Sequence, residues 1–266
     1  MQPILLLKAL FDGRLFYCLL FGLYTPASAQ ALPLCPASHL DRQVQVRYVH
    51  DGDTLHLNNG EKIRLIGINA PELARKGRPA EPLAIKARDH LRDLIINSKQ
   101  RIGLRMDTEH VDRYGRSLAH LYTQDGNSLS AQLLKSGLAT LLAVPPNLNG
   151  LDCYAQAEAQ ARQTNRGIWA LNRYQTIAST KLPRHSRGYR HVSGKIIRIV
   201  EGRRNLWLNL PGKVAMRIEK NELHLFKTLK PRELLGKTII GKGWLYEHKG
   251  ELRMRLRSRF ALDVQP

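Results

Sequence analysis

Hydrophobic positions along the first half of the chain change period repeatedly, and each change marks an element. Gln43–Val49 and Thr54–Leu57 predict two strands with Asp51-Gly52 turning between them. Asn58-Asn59-Gly60 is a hairpin turn into a third strand, Glu61–Ile68. Leu83, Ala87, Leu91, Leu94 and Ile95 recur at helical spacing and predict a helix over Leu83–Ile96. Arg101–Met106 and Ser117–Tyr122 read as strands around the turn Asp112-Arg113-Tyr114-Gly115-Arg116. Ser128–Ser136, stopped by Gly137, and the alanine-rich Leu151–Thr164 read as helices. This order predicts a small closed barrel with helices packed on it. From 189 onward His191–Val200, Asn205–Leu210, Val214–Ile218, Lys237–Tyr246 and Glu251–Leu262 read as strands, with Lys220–Leu229 helical or looped between them. They predict a second, smaller, mainly-β unit.

Charge sharpens that division. Residues 30–180 carry 19 Lys+Arg and 14 Asp+Glu, net +5, whereas 181–266 carry 21 and 7, net +14. The change falls at Lys181-Leu182-Pro183-Arg184-His185-Ser186-Arg187-Gly188, read as a linker from 181 to 188 between domains over 30–180 and 189–266. The whole chain of 266 residues has a formal charge of +20, which makes a polyanion the leading partner. No apolar run is long enough for a polytopic membrane protein, and the composition excludes wholesale disorder.

Residues 1–29 read as a secretory signal. Lys8 and Arg14 precede an apolar run from Leu15 to Tyr24, and Ala27-Ser28-Ala29 is a small-residue cleavage pattern ending at Ala29. An uncleaved anchor or a buried helix is the alternative. Cleavage would deliver a periplasmic or secreted protein with two cysteines, Cys35 and Cys153, for which one intramolecular disulfide is possible. Closing that loop would stabilise the fold by roughly 4–5 kcal/mol. Two buried free thiols are the other reading.

Three clusters carry candidate chemistry. In His50-Asp51-Gly52-Asp53-Thr54, two carboxylates flank a glycine at a strand end and offer oxygen ligands to a hard cation such as Ca²⁺; the same pattern also serves as a plain turn. In Arg64-Leu65-Ile66-Gly67-Ile68-Asn69-Ala70-Pro71-Glu72, an arginine able to grip phosphate precedes a carboxylate able to take a proton from water, or the two form a salt bridge. The turn from Asp112 to Arg116 adds a second guanidinium, which together with the first would offset the charge of a pentacoordinate phosphorus.

Taken together, the order, spacing and surrounding strands of these clusters resemble the staphylococcal nuclease (thermonuclease) family. The resemblance runs from Val44 to Leu171 and includes the Glu158-Ala159-Gln160-Ala161 helix and Gly167-Ile168-Trp169. It implies a five-stranded OB barrel with three helices, and a Ca²⁺-dependent phosphodiesterase that cuts DNA and RNA and leaves 3′-phosphates. By motif position it implies Asp53 and the Ala70 carbonyl as direct Ca²⁺ ligands, Asp51 in the outer shell, and Glu72 as the base that activates water. Arg64 and Arg116 would hold the phosphate, Tyr114 would bond a terminal phosphate, and Arg113 shares that turn as a further substrate contact. The sequence departs from the family at Asn69, where a second liganding aspartate is usual, and at Ala143 and Pro145, where base-stacking tyrosines are expected.

In the second domain, for which an OB-like barrel is expected, Leu252-Arg253-Met254-Arg255-Leu256-Arg257-Ser258-Arg259 places Arg253, Arg255, Arg257 and Arg259 on one face of a strand. Such a face would bind nucleic acid through its phosphates, or be a solvated edge guarded by charge. The expected function is a sugar-non-specific endonuclease acting on DNA and RNA, as a monomer with no protein partner inferred. The rival is a nucleic-acid-binding module that kept the barrel and lost the metal, a possibility to which Asn69 points.

Overall fold

The computed structural model describes residues 32–265 apart from Lys76, Lys227 and Thr228. The predicted leader over 1–29 lies outside the described residues.

The first barrel is built from β1 (Arg42–Val49), β2 (Thr54–Leu57), β3 (Lys62–Leu65), β5 (Arg101–Val111) and β6 (Ser117–Tyr122), with β4 (Gly67–Asn69) branching off it. The five strands close in the order β1-β2-β3-β6-β5, antiparallel throughout except where β3 runs parallel to β6. Leu55, Ile63, Leu65, Ile102, Leu104 and Leu121 fill the interior and are fully buried or nearly so. Helix α1 (Ala84–Asn97) turns Ala84, Ala87, Leu91 and Ile95 inward, the spacing anticipated from the sequence. Helix α2 (Leu129–Lys135) starts where the Ser128 hydroxyl accepts the Ala131 N–H. Helix α3 (Leu151–Gln163) is bonded through Cys153 to Cys35 ahead of the barrel, with Cα atoms 5.7 Å apart.

One predicted strand divides. Glu61–Ile68 becomes β3 and β4 because Gly67 takes φ +83° and turns the chain away to pair with β7 (Thr140–Leu142). A Cβ at Gly67 would lie 2.7 Å from side-chain atoms of both Leu151 and Tyr154, so glycine also lets α3 pack against this bend. The Tyr154 hydroxyl, buried beneath it, accepts from Ser128 Oγ at 2.8 Å and meets His120 Nδ1 at 3.0 Å, and His120 Nε2 lies 3.5 Å from Asp107.

The second region contains β8 (Thr176–Ala178), β9 (Gly188–Lys195), β10 (Arg198–Glu201), β11 (Asn205–Leu210), β12 (Val214–Glu219), β13 (Thr238–His248), β14 (Glu251–Leu256) and β15 (Leu262–Val264). Its path is β10-β11-β12-β14-β13-β9, with β8 beyond β9 and β15 on β13. The predicted strand His191–Val200 is thus two strands that bend at Ile196-Ile197. Ile196 N–H donates to Lys237 ahead of β13, and Ile197 N–H donates to Asn209 on β11, both at 2.9 Å. That single bent run therefore meets both ends of the path, and β12 runs parallel to β14 just as β3 runs parallel to β6. Five strands are arranged here in the same order as in the first barrel, around Val192, Ile196, Leu208, Met216, Ile218, Met254 and Leu256.

The predicted strand Glu251–Leu262 also divides. It ends at Leu256, makes a short helical turn over Arg259–Ala261, and returns as β15 against the same β13. Phe260 in that turn packs onto the first barrel's core, and Arg259 pairs with Asp152 of α3 at 2.5 Å. Arg259 consequently leaves the face it was expected to share with Arg253, Arg255 and Arg257.

Candidate active site

The site begins with a close approach. Gly52 lies between β1 and β2, and a Cβ there would stand 2.6 Å from the Ala70 Cβ and 2.8 Å from the Ala87 Cβ. Glycine therefore lets the carboxylate turn press against both α1 and the segment after β4. Asp53 is buried in that contact and accepts the Ala70 N–H at 2.9 Å through Oδ2. Asp51 accepts the Asp53 N–H at 3.0 Å and so holds the turn.

Arg64, opposite Thr54 in the β2–β3 pairing, brings Nη2 to 3.1 Å from Asp53 Oδ2 and to 3.0 Å from the Ile68 carbonyl, while Nη1 donates to the Leu65 carbonyl. Arg116 sits at the head of β6, the strand beside β3. Its Nε donates to Asp112 Oδ2 at 2.8 Å and its Nη1 to Thr54 Oγ1 at 3.3 Å. Thr54 Oγ1 in turn donates to Asp53 Oδ1 at 3.1 Å. A continuous polar chain thus runs Arg116–Thr54–Asp53–Arg64, and the two guanidinium groups share one end of the barrel.

Glu72 is exposed beside this chain. Partial burial raises its carboxyl above the ordinary value; Asp53 and Glu81 add to the rise, and Arg64 and Arg116 oppose it. Its backbone is fixed by Glu81, which accepts the Glu72 N–H at 3.1 Å and donates its own N–H to the Glu72 carbonyl at 2.8 Å. Arg173 anchors Glu81 from outside the barrel at 2.7 Å. Burial likewise raises Asp53, with Arg64 drawing it down and Asp51 pushing it up.

Asp112 accepts the N–H groups of both Tyr114 and Arg116. Burial alone would raise its carboxyl, but these bonds and the Arg116 side chain hold it below the ordinary value. Tyr114 is exposed, with Arg113 hydrogen-bonded to its hydroxyl at 2.7 Å and stacked over its ring. The four second-region arginines stand apart from this site, each beside an acid: Arg253 with Glu251, Arg255 with Glu219 and Glu222, Arg257 near Glu222, and Arg259 with Asp152.

Among the described residues no group of three or more His, Cys, Asp and Glu side chains is placed to hold a metal. The donors at the turn are nonetheless all oxygen. Asp53 is raised by its burial and, against the pull of Arg64, further by Asp51 next to it, and Asn69 and the Ala70 backbone lie on the facing segment. That chemistry fits a hard divalent cation, whose charge would relieve the crowding of Asp51 and Asp53.

Thr54, Glu81 and Arg173 carry no role in the sequence reading. Thr54 stood within a motif that was read for its carboxylates, and Glu81 and Arg173 meet across 92 positions that no local pattern links.

A family model described as staphylococcal nuclease homologue matches residues 62–171. The thermonuclease of Staphylococcus intermedius is 33% identical over 127 residues, which cover 47% of this chain and 74% of that one. The chain belongs to the staphylococcal nuclease family. The thermonuclease of Staphylococcus hyicus is 31% identical over 133 residues, 49% of this chain and 77% of its own. The SPbeta prophage-derived endonuclease YokF of Bacillus subtilis is 32% identical over 142 residues, 52% and 45% respectively. Membership makes the chain a nuclease, a hydrolase acting on nucleic acid, and its closed five-strand barrel with helices is the OB fold of the staphylococcal nuclease family. The family match ends at Leu171, short of the second five-strand unit.

Proposed function

We propose that this nuclease is a Ca²⁺-dependent endonuclease without sugar preference, hydrolysing DNA and RNA to leave 3′-phosphates. In this reading residues 30–180 form the catalytic domain, its last strand β8 lent to the second sheet, with 181–188 a linker and 189–266 a domain that holds nucleic acid. The leader read from residues 1–29 of the sequence and the Cys35–Cys153 bond support a periplasmic or secreted location, since such bonds persist in oxidising compartments. The observation that carries the proposal is the linked chain of Arg116, Thr54, Asp53 and Arg64 beside Glu72.

Asp53, Asn69 and the Ala70 carbonyl would hold Ca²⁺, with Asp51 behind them. When bound, the ion supplies Lewis-acid polarisation of the phosphate. Arg64 and Arg116 grip the non-bridging phosphate oxygens from two sides and offset the negative charge that builds on them. Glu72, its carboxylate made more basic by partial burial, takes a proton from the attacking water. The new P–O bond forms opposite the leaving 5′ oxygen, and the P–O5′ bond breaks with the 5′ oxygen taking a proton from solvent, so the phosphate stays on the 3′ side. Tyr114 and Arg113 stand at the exposed edge, where a flanking phosphate would pass.

Incubation of the full chain with plasmid in Ca²⁺ and in EDTA tests this. Digestion that requires Ca²⁺ and falls about 10²–10⁴-fold in Glu72→Gln is expected. Asn69, an amide where a carboxylate would bind the ion more tightly, favours the alternative of a binding module; retarded but uncut plasmid with Ca²⁺ present would select it.

A further inference from the structure

The second region docks on the nuclease barrel through an unusual edge. Strand β7 is bonded to β4 on one side, Asn69 opposite Thr140. On its other side the Leu141 N–H donates to the buried Glu158 carboxylate at 2.6 Å, and the Leu141 carbonyl accepts the Tyr189 hydroxyl of β9 at 3.3 Å. A cleft of about 300 Å³ opens there, between Leu141-Leu142-Ala143 and the outer face of the second region. The segment from Leu141 to Pro146 contains no aromatic side chain, and Ala143 leaves the cleft open on that wall.

The opposite wall is different. On β13 the outward residues Trp244 and Tyr246 are 46% and 37% exposed, although both are large and partly apolar. Tyr246 faces Arg253 on β14 in the strand register, and Trp244 faces Tyr189 on β9, with ring centroids 5.1 Å apart. Arg217 and Arg257 line the same cleft. Arg255 is held by Glu219 and Glu222 at 2.8 Å each, whereas the carboxylate contacts of Arg217 and Arg257 are loose, at 3.5 Å. A guanidinium has five N–H donors in a planar fork, so a single loose contact leaves capacity for an anion. Half-exposed aromatics interleaved with such arginines suit a base and its phosphate together.

From this geometry, and resting on the nuclease reading above, we propose that the cleft is a subsite for a single-stranded stretch of the nucleic acid being cut. Trp244 and Tyr246 stack on its bases, and Arg217 and Arg257 hold its phosphates. Only unpaired bases offer a face for stacking, so the subsite selects single strands over duplex. One β-strand separates the cleft from Asn69. Two strand spacings amount to roughly 10 Å, a gap that a short run of single strand bridges. The second region thus supplies the base contacts that the loop over Leu141–Pro146 lacks.

Binding and cleavage are measured separately in the full chain. Anisotropy of a labelled short oligothymidylate in EDTA reads the subsite without turnover, and cleavage of a dinucleotide phosphodiester with Ca²⁺ reads the catalytic centre. Trp244→Ala and Tyr246→Ala, each checked for an unchanged melting temperature, are expected to weaken oligothymidylate binding about tenfold or more. Trp244→Phe should restore most of that affinity. In both alanine variants KM on long single strands should rise while dinucleotide turnover stays at the wild-type level. Wild-type affinity in both alanine variants overturns the subsite, as does a wild-type protein that does not bind in EDTA. Equal competition by inorganic polyphosphate and by oligothymidylate also overturns it, since phosphate alone would then account for binding. If the wild type binds but cuts neither substrate, the nuclease mechanism fails while the subsite stands.

Discussion

Two barrels with one strand order carry opposite charge at the same place. In the first, the turn into the second strand bears Asp51 and Asp53, and the third strand bears Arg64 opposite Thr54. In the second, the corresponding turn bears Arg203 and Arg204, and the third strand bears Glu219 opposite Asn205. Asp53 of the first is buried against Ala70 with Asp51 half-buried behind it, whereas the arginines of the second are exposed. The frame itself is therefore indifferent to chemistry; what differs is whether the turn is pressed into a neighbour. Burial crowds Asp53 beside Asp51, a strain that the proposed cation would relieve, while exposed ion pairs contribute at most about 1 kcal/mol each and mainly tune a surface.

The strongest way to break this comparison is to remove one guanidinium from each barrel. Arg64→Ala or Arg116→Ala should lower turnover on a dinucleotide phosphodiester by about 10²–10³, the usual loss for a charge-stabilising donor. Arg203→Ala should leave that turnover unchanged. A comparable fall in Arg203→Ala would mean that the second region takes part in the chemical step.

A second asymmetry is covalent. Among the described residues the disulfide falls on the first side alone, tying Cys35, ahead of the barrel, to α3 across 118 positions. Cys35→Ser with Cys153→Ser should lower unfolding free energy by about 4–5 kcal/mol in a denaturant titration, from the entropy returned to the unfolded chain. A change near zero would show that packing of the 32–41 segment alone holds the N-terminal end.

The turns allow a matched test with glycine. Gly52→Ala would place a methyl against two Cβ atoms and should cost about 3 kcal/mol, and displacing Asp53 should reduce activity with it. At Gly202 a Cβ would meet only the Asn205 carbonyl, at 3.4 Å, so Gly202→Ala should be nearly neutral in thermal melts. Equal effects would contradict the claim that only the first turn is pressed against its neighbours.

Local pattern made much of this visible. β2 and β11 match their predicted ends, and α1 and α3 match within a residue, because each has an uninterrupted period. Asp53, Arg64, Glu72 and Arg116 stood out as residue types, and the barrel brings them together. The breaks at Gly67 and after Leu256 were hidden, since they arise where α3 and Phe260 pack and not from any change in alternation. β7 was missed because it is three residues long and pairs with β4, a strand that exists apart from β3 through the bend at Gly67. The arginine row looked like a free basic face because most of its acidic partners lie elsewhere, Glu219 on β12, Glu222 in the helical turn that follows it and Asp152 on α3, while Glu251 shares the strand with Arg253. Extension of β5 to Val111 was likewise obscured by the polar run Asp107-Thr108-Glu109-His110.

That polar run supplies the smallest test, one of pH. Burial alone would raise the Asp107 carboxyl. Bonds from His120, from the Thr108 N–H at 2.8 Å and from Asn149 outweigh it and bring the carboxyl down to about 2. A carboxyl depressed in the folded state binds fewer protons there than in the unfolded chain, so its stabilisation is present above the ordinary value near 3.8 and disappears as pH falls toward 2. The shift corresponds to about 2 kcal/mol. Because these bonds join β5 to β6 and to the segment before α3, the loss should fall on the first barrel. Denaturant unfolding should show the wild type losing this increment between pH 4 and pH 2, while Asp107→Asn has a shallower dependence over the same interval. Hydrogen exchange at pH 3 would locate the effect. Faster exchange on β5 and β6 with β11 and β12 unchanged would keep the two barrels energetically distinct, and parallel loss in both would show that they unfold as one unit.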